Sequence, residues 1–248
     1  MKKYFVIADI HGFYTLWMDE LIKCGFDINN DDHILILLGD ITDRGTESKE
    51  IIDFLYDFKR ERRILIKGNH EDLFIEMVKR GFYIYRDIHN GTFQSYIDIF
   101  GSTSIMDFSE FQNTKYYSLY KEMLDYYETN KYIFTHAYIP VDKYLNYYVF
   151  KENWRNASEN EWMDARWLNS MDVDDKISLG RDPKTIVSGH YHTSWGHCFI
   201  ERVSPEFGDG ALFSPFYGKS LIALDACTAY SKKVNVLVLK EDELWKKY

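Results

Sequence analysis

The side chains best suited to chemistry lie in the stretch 39–45, which has the sequence Gly-Asp-Ile-Thr-Asp-Arg-Gly. Asp40, Asp43 and Arg44 would lose solvation in such a crowded loop unless a metal ion or an oxyanion met them. The flanking glycines let the backbone turn tightly and approach a ligand. An apolar run precedes the stretch and a helix-like segment follows it. The sequence therefore predicts a strand, a binding loop and then a helix.

Other predicted strands also end in side chains that can bind a metal ion. Asp9 and His11 follow the first apolar run, and an extended segment places both side chains on the same face because only one residue separates them. The remaining strand ends carry Asn69 with His70, then His136, and then His190 with His192. In an open α/β sheet the carboxyl ends of the strands gather at one edge. We therefore expect these loops to converge on one polar cleft.

The predicted ligands are oxygen and imidazole groups without any thiolate, a set that suits Mn, Fe or Zn. They are too many for one tetrahedral ion but suit two ions that share the Asp40 carboxylate. The candidates are Asp9, His11, Asp40, Asn69, His136 and His190. Two ions about 3.5–4 Å apart can clamp a phosphoryl group, and a water held between them becomes a nucleophile at neutral pH. The residues therefore predict hydrolysis of a phosphoester.

Apolar runs rich in β-branched and aromatic residues alternate with helix-like segments in the first half of the chain. The predicted strands are 4–8, 34–38, 64–66, 132–134, 185–187, 221–224 and 234–239. The predicted early helices are 13–23, 47–59 and 71–79. This alternation predicts an α/β fold with a mainly parallel inner sheet. We expect one domain over residues 1–248, with a helical insertion at 77–130 that covers one end of the sheet.

The net charge of −9 argues against sequence-independent binding of nucleic acid, which needs a basic surface. The three cysteines are widely spaced, match no metal-binding pattern and favour a reducing compartment. The first apolar run ends at Asp9, too early for a signal core or a membrane span. We therefore expect a cytoplasmic enzyme with no membrane partner.

Five blocks of this sequence resemble those of the calcineurin-like metallophosphoesterases, in particular the bacterial and phage-type serine/threonine phosphoprotein phosphatases. The blocks are Asp-Ile-His-Gly at 9–12, the stretch 39–45, Gly-Asn-His-Glu at 68–71, Thr-His-Ala at 135–137 and Gly-His at 189–190. The segment 90–96 is similar to a stretch of the same phosphatases. The resemblance implies a four-layer α/β/β/α sandwich with a dinuclear metal site.

The resemblance also implies a role for each matching residue. One ion would be bound by Asp9, His11 and Asp40, and the other by Asp40, Asn69, His136 and His190. Asn69 would also lie beside the substrate. His70 would be the general acid that protonates the leaving alkoxide, Asp43 would hold its ring, and Arg44 would clamp the phosphate.

Three positions depart from the pattern of the protein phosphatases, the first being Tyr138, where the family usually has a small residue. The family usually has a second phosphate-binding arginine, for which Arg166 is the candidate and Asn169 the alternative occupant of that position. His192 gives the ending Gly-His-x-His, which resembles the wider metallophosphoesterases. We expect His192 to reach the ion held by Asp9 and His11 if the segment stays extended, or to meet the substrate if the chain turns.

The sequence favours hydrolysis of phosphoserine or phosphothreonine in a protein, with two divalent ions, manganese first and iron or zinc as alternatives. One alternative is hydrolysis of a nucleotide-type phosphoester such as diadenosine tetraphosphate. A broader nucleotidase or phosphodiesterase is another alternative, suggested by His192. A catalytically silent binding module on the same fold is disfavoured, because no ligand or acid position has been lost.

Overall fold

The computed structural model describes residues 1–245. In this part of the chain, two main β-sheets and a small third sheet are surrounded by helices. The strands are β1 (Lys3–Ile7), β2 (His33–Leu37), β3 (Arg63–Leu65), β4 (Tyr126–Glu128), β5 (Tyr132–Thr135), β6 (Val141–Lys143), β7 (Tyr148–Phe150), β8 (Ile177–Leu179), β9 (Thr185–Ser188), β10 (Phe216–Tyr217), β11 (Leu221–Ala223) and β12 (Val236–Lys240). All the strands predicted from the sequence are present, with ends shifted by one or two residues.

Helices occupy most of the chain between the strands. They are α1 (Tyr14–Lys23), α2 (Ser48–Asp57), α3 (Asn69–Arg80), α4 (Tyr85–His89), α5 (Thr92–Phe100), α6 (Phe108–Phe111), α7 (Lys115–Glu122), α8 (Glu159–Ala165), α9 (Ser170–Lys176), α10 (Thr193–Phe199), α11 (Thr228–Ser231) and α12 (Glu241–Trp245). Short 3₁₀ turns lie at Arg60–Arg62 and Trp154–Asn156. No helix within residues 1–245 combines the length and the apolar character that a membrane span requires.

The inner strands of both main sheets are parallel, as the sequence predicts. The first sheet has the order β12-β1-β2-β3, with β12 antiparallel at one edge. The second has the order β10-β11-β9-β5-β4, with antiparallel strands at both edges. Parallel strands end at the same edge of a sheet. The carboxyl ends of the parallel strands, where binding sites form in α/β sheets, are followed by the loops after β1, β2, β3, β5, β9 and β11.

Successive side chains of each strand point to opposite faces of its sheet, so each sheet packs on both faces and the layers result. Val6 and Ile36 of the first sheet pack with Phe134 and Val187 of the second, forming the core between the sheets. Their neighbours in sequence point to the opposite faces, because successive side chains of a strand alternate. These outward residues pack against α1, α2 and α3 on the first sheet, and against α8 and α9 on the second. The predicted four-layer α/β/β/α sandwich is confirmed.

The expected insertion at 77–130 contains α4 to α7, but its two ends belong to the layers. Residues 77–80 form the last turn of α3, and residues 126–128 form β4 at the edge of the second sheet. Three of these helices, α5, α6 and α7, share with α3 the core on the outer face of the first sheet, where the ring centroids of Phe74 and Tyr116 lie 4.1 Å apart. The insertion is therefore packed into the helical layer, and the boundaries expected from the sequence are too wide.

The core between the sheets should dominate stability. We expect Phe134→Ala to lower the free energy of unfolding by about 3–5 kcal/mol, because the ring is 0% exposed and its loss leaves a cavity. Phe82→Ala is the matched control, since that ring is 56% exposed, and we expect a change below about 1 kcal/mol. Urea unfolding of both variants measures the difference. Equal destabilisation would show that the two sheets are not held by this core.

Candidate metal and phosphate site

The loops that carry the predicted ligands have an unusual backbone conformation. Of the nine non-glycine residues with positive φ in residues 1–245, six belong to the predicted site: Asp9, His11, Asp40, Asp43, Arg44 and His190, with φ between 47° and 73°. L-residues rarely adopt this region, and each instance costs about 1–3 kcal/mol unless the surroundings hold it. Such clustering is typical of functional sites.

Asn69, His136 and His190 bring lone pairs together at one point beside Asp40. His136 Nδ1 donates to the Leu38 carbonyl oxygen at 2.7 Å, so the neutral ring has a lone pair on Nε2. This Nε2 lies 2.8 Å from Asn69 Oδ1, 3.5 Å from Asp40 Oδ1 and 3.2 Å from His190 Nδ1. His190 Nδ1 lies 2.9 Å from Asn69 Oδ1, and in the tautomer with its proton on Nε2 all three atoms offer lone pairs, an arrangement that a cation among them would stabilise.

A second set of donors lies on the other side of Asp40. His11 Nδ1 donates to the Thr42 carbonyl oxygen at 3.0 Å, which leaves its Nε2 to face Asp40 Oδ2 at 3.8 Å. Asp9 Oδ2 accepts from the His190 backbone N–H at 2.8 Å. Its other oxygen, Oδ1, is buried without a hydrogen-bond partner in the described part of the chain. A buried carboxylate oxygen without a hydrogen-bond partner is suited to bind a metal ion.

The electrostatics of both sets suit cations. Burial lowers the pKa of His11 and His136, and burial with the neighbouring His136 lowers the pKa of His190 to about 3. The rings are therefore neutral and can act as ligands. Burial and the nearby Asp225 and Asp40 raise the pKa of Asp9, so this carboxylate needs a compensating positive charge. The residues present thus fit two divalent ions that share Asp40.

His70 lies beside Asp40, with Nε2 3.9 Å from Asp40 Oδ2, and belongs with His11 and Asp40 to a group that could hold a metal ion. Its Nδ1 donates to Asp43 Oδ2 at 2.6 Å, and its Nε2 lies 3.2 Å from Arg44 Nη2. Burial lowers the pKa of His70, but Asp40 and Asp43 outweigh it and raise the pKa above its ordinary value. A protonated His70 and Arg44 are both donors, so an oxyanion bound between them would accept from both.

Glu71 ties two of the ligand loops together. Its carboxylate accepts from the backbone N–H groups of Gly68, Asp40 and Ile41 at 2.8, 2.9 and 3.0 Å. Gly68 is required here, because a Cβ on it would lie 2.2 Å from Asp40 Oδ1. Glu71 therefore fixes the loop after β2 against the start of α3.

Arg166 lies near the predicted site, where its charge helps to lower the pKa of His136 after the larger effect of burial. Its guanidinium is buried and donates to Asp72 Oδ2 at 2.6 Å and to Asp125 Oδ1. Asn169 caps α9 by accepting from the N–H groups of Met171 and Asp172. Two carboxylates bind the terminal nitrogens of Arg166, whereas its Nε has no partner in the described part of the chain, and phosphate binding by Arg166 stays a prediction.

His192 also lies outside both ligand sets. Its Nε2 is 2.9 Å from Glu206 Oε1, and its ring packs against those of Tyr191 and Phe207. The chain enters α10 at Thr193, so the extended segment that would have placed His192 beside His190 does not continue. The geometry does not support His192 as a ligand.

Asp225 is a site residue that the sequence analysis did not single out. It follows β11, is buried, and accepts from the Cys227 N–H at 2.7 Å. Burial raises the pKa of Asp225 to about 6, and Asp225 in turn raises the pKa of Asp9. The available signal was an aspartate directly after an apolar run, the pattern already used for Asp9 and Asp40.

Comparison with known proteins shows the family to which the chain belongs. The model of the calcineurin-like phosphoesterase family matches residues 2–210, so the chain belongs to that family. Serine/threonine-protein phosphatase 1 of Salmonella typhimurium is 32% identical over 71 residues, covering 29% of this chain and 31% of that protein. A symmetrical bis(5'-nucleosyl)-tetraphosphatase of Buchnera aphidicola is 38% identical over 71 residues, covering 29% and 24%. The asymmetrical bis(5'-nucleosyl)-tetraphosphatase PrpE of Oceanobacillus iheyensis is 33% identical over 72 residues, covering 26% and 29%.

These matches span less than a third of the length of each relative. Solved structures show the same fold over almost the whole chain. A cold-active protein-tyrosine phosphatase of a Shewanella species has a TM-score of 0.55 at 15% identity, covering 98% of this chain and 76% of that one. A metallophosphoesterase of Sphaerobacter thermophilus has a TM-score of 0.50 at 13% identity, covering 98% and 85%.

Asp40 is the ligand that both sets share, so its charge should be needed for both ions. We expect Asp40→Asn to reduce bound manganese and to nearly abolish phosphoester hydrolysis, because a neutral bridge binds cations weakly. Asp57→Asn is the matched control, since Asp57 is exposed. Metal analysis after dialysis, together with activity assays, measures both effects. Full metal content in Asp40→Asn, or full turnover by the wild type in chelator, would contradict the shared-ligand arrangement.

Proposed function

We propose that this protein is a metal-dependent serine/threonine protein phosphatase that hydrolyses phosphomonoesters. The supporting observation is the His70–Asp43 pair, which lies beside Arg44 and next to Asp40. A serine alkoxide is a poor leaving group and needs a proton in the transition state. His70, held by the Asp43 carboxylate beside the Arg44 guanidinium, can supply this proton.

The ligand sets would hold two divalent ions, for which we propose manganese first, with iron and zinc as alternatives. Asp9, His11 and Asp40 would bind one ion, and Asp40, Asn69, His136 and His190 the other. Bound ions would supply Lewis acidity toward the phosphoryl oxygens and lower the pKa of a bound water.

The residues of the chain supply the remaining steps. Arg44 is exposed, and its two terminal nitrogens face His11 and His70, so they can donate to phosphoryl oxygens placed between these rings. His70 donates its Nε2 proton to the leaving oxygen, while the Asp43 carboxylate holds Nδ1 and stabilises the charged ring. Asn69 lies where it can face both an ion and the substrate.

A cytoplasmic location and the absence of sequence-independent nucleic-acid binding belong to the same proposal. The three cysteines are free, which agrees with a reducing compartment. The net charge of −9 opposes general attraction to phosphate backbones. Phosphate would then be met locally by Arg44, His70 and the ions.

Hydrolysis of a dinucleoside polyphosphate is a second candidate, favoured by Trp167. This side chain is 55% exposed, and its ring centroid lies 5.8 Å from that of His190 in an edge-on arrangement. Trp167 lines a cavity of about 660 Å³ beside β6 and α8, and another of about 320 Å³ that also includes Asn69. An exposed indole beside the metal ligands could stack on a nucleobase.

The role of His70 predicts a dependence on the leaving group. We expect His70→Gln to retain metal but to slow hydrolysis of a phosphoserine peptide by about 10²–10⁴-fold, the usual size of a general-acid contribution. Hydrolysis of 4-nitrophenyl phosphate should slow much less, because that leaving group needs little protonation. The matched control is His89→Gln on the exposed surface, which should leave both rates unchanged. Equal losses on the two substrates would remove His70 from the role of acid.

Trp167 separates the two candidate substrates. If the second candidate is correct, Trp167→Ala should raise KM for diadenosine tetraphosphate about 10-fold or more, because stacking contributes about 1–3 kcal/mol per base. The KM for 4-nitrophenyl phosphate should stay the same. Trp245→Ala, which removes an exposed indole from α12, is the control. A wild type that hydrolyses the phosphopeptide and leaves diadenosine tetraphosphate intact would reject the second candidate.

A further inference from the structure

We infer that the start of α5, residues 91–95, is a positioning element for the general acid and acts on His70 through Asp43. The inference rests on the proposed function, because it concerns the acid of that reaction. It gives a role to the segment 90–96, whose likeness to the phosphatases carried no function from the sequence alone.

Thr92 and His70 bind the same oxygen of Asp43. Thr92 is fully buried, and its Oγ1 donates to Asp43 Oδ2 at 2.6 Å. His70 Nδ1 donates to that oxygen, also at 2.6 Å. Hydrogen bonds to a carboxylate are short and strong. Thr42 Oγ1 donates to the other oxygen at 3.4 Å, so the Thr92 bond is the shorter of the two hydroxyl bonds that restrain the rotation of the carboxylate group. The carboxylate in turn fixes the direction in which the His70 ring points.

Ser95 holds the backbone of the same residue. Its Oγ accepts from the Asp43 N–H at 2.8 Å and lies 3.1 Å from Ser48 Oγ of α2. Asp43 and Arg44 are consecutive residues with φ of 73° and 64°. Such a pair is strained and needs external restraint. The bond from Ser95 supplies this restraint at Asp43, just before the guanidinium that would meet the phosphate.

Gly91 lets α5 approach closely enough for these bonds. Its φ is 85°, and a Cβ on it would lie 2.5 Å from the backbone nitrogen of Arg44. The helix therefore begins directly against the loop. The insertion thus takes part in ordering the site as well as in packing the helical layer.

Replacement of the Thr92 hydroxyl tests the inference. Thr92→Val keeps the shape and removes the donor, whereas Thr92→Ser keeps the donor. We expect Thr92→Val to lower kcat for a phosphoserine peptide about 10- to 100-fold, since small misplacements of a reacting group have effects of this size. The loss on 4-nitrophenyl phosphate should be much smaller, and KM and bound manganese should be unchanged. Thr92→Ser should restore most of the rate.

Thr114→Val controls for loss of stability in the insertion. Thr114 caps α7 by accepting from the Tyr117 N–H, a bond in the same insertion but on a different helix from the one that binds Asp43. It should lower Tm without changing the ratio of the two rates. An equal loss on both substrates in Thr92→Val, or no rescue by serine, would overturn the inference and show a purely structural hydroxyl.

A measurement that needs no turnover keeps this result separate from the proposed function. The short His70–Asp43 hydrogen bond should give a downfield imidazole N–H resonance in the proton NMR spectrum, which His70→Gln removes. We expect Thr92→Val to shift or broaden this resonance and Thr92→Ser to preserve it. An unchanged resonance in Thr92→Val would overturn the inference even if the wild type were active. A wild type inactive on both substrates with manganese would overturn the proposed function, while the resonance would still test the positioning.

Discussion

The structure depends on the burial of the Asp40 carboxylate among imidazole rings. Burial alone would raise the pKa of Asp40, but the imidazole rings around it lower that pKa, and among them His70 has a pKa above its ordinary value and can supply positive charge. A buried charge is tolerated only when it is paired and hydrogen-bonded. The loops after neighbouring strands must therefore bring hydrogen-bond donors to this one carboxylate. They do so with several residues in the left-handed backbone conformation.

Helices supply the bonds that hold these strained loops. The Glu71 carboxylate at the start of α3 binds the N–H groups of the loop after β2, and the first turn of α5 binds both the backbone and the side chain of Asp43. In both cases a side chain on a regular element fixes a loop that could not hold its own conformation. The packing of these helices on the first sheet thus contributes directly to the geometry of the acid and the ligands.

The reaction class and the substrate are set by different parts of the molecule. The ligand sets, the His70–Asp43 pair and Arg44 are built by loops at the strand ends and suit phosphoester hydrolysis in general. Discrimination between a phosphopeptide and a nucleotide would arise outside this cluster, where Trp167 lies between two cavities beside His190. The relatives include both a protein phosphatase and nucleosyl tetraphosphatases. The sequence similarity of this chain to both kinds of enzyme agrees with a common reaction class and separate determinants of the substrate.

The sequence by itself determined the strands, the early helices and the residues at the strand ends, because alternation, apolar runs and turn residues are local signals. The roles predicted for Asp40 and for the His70–Asp43 pair came from the family resemblance, because Asp43 and His70 are 27 residues apart and no local pattern encodes their contact. Only the tertiary structure decided which side chains Arg166, His192 and Thr92 contact. Their partners, Asp72, Glu206 and Asp43, lie 94, 14 and 49 residues away in sequence, and no local pattern encodes such contacts. An isolated arginine or histidine shows its chemistry in the sequence, but which carboxylate neutralises it depends on how the layers pack.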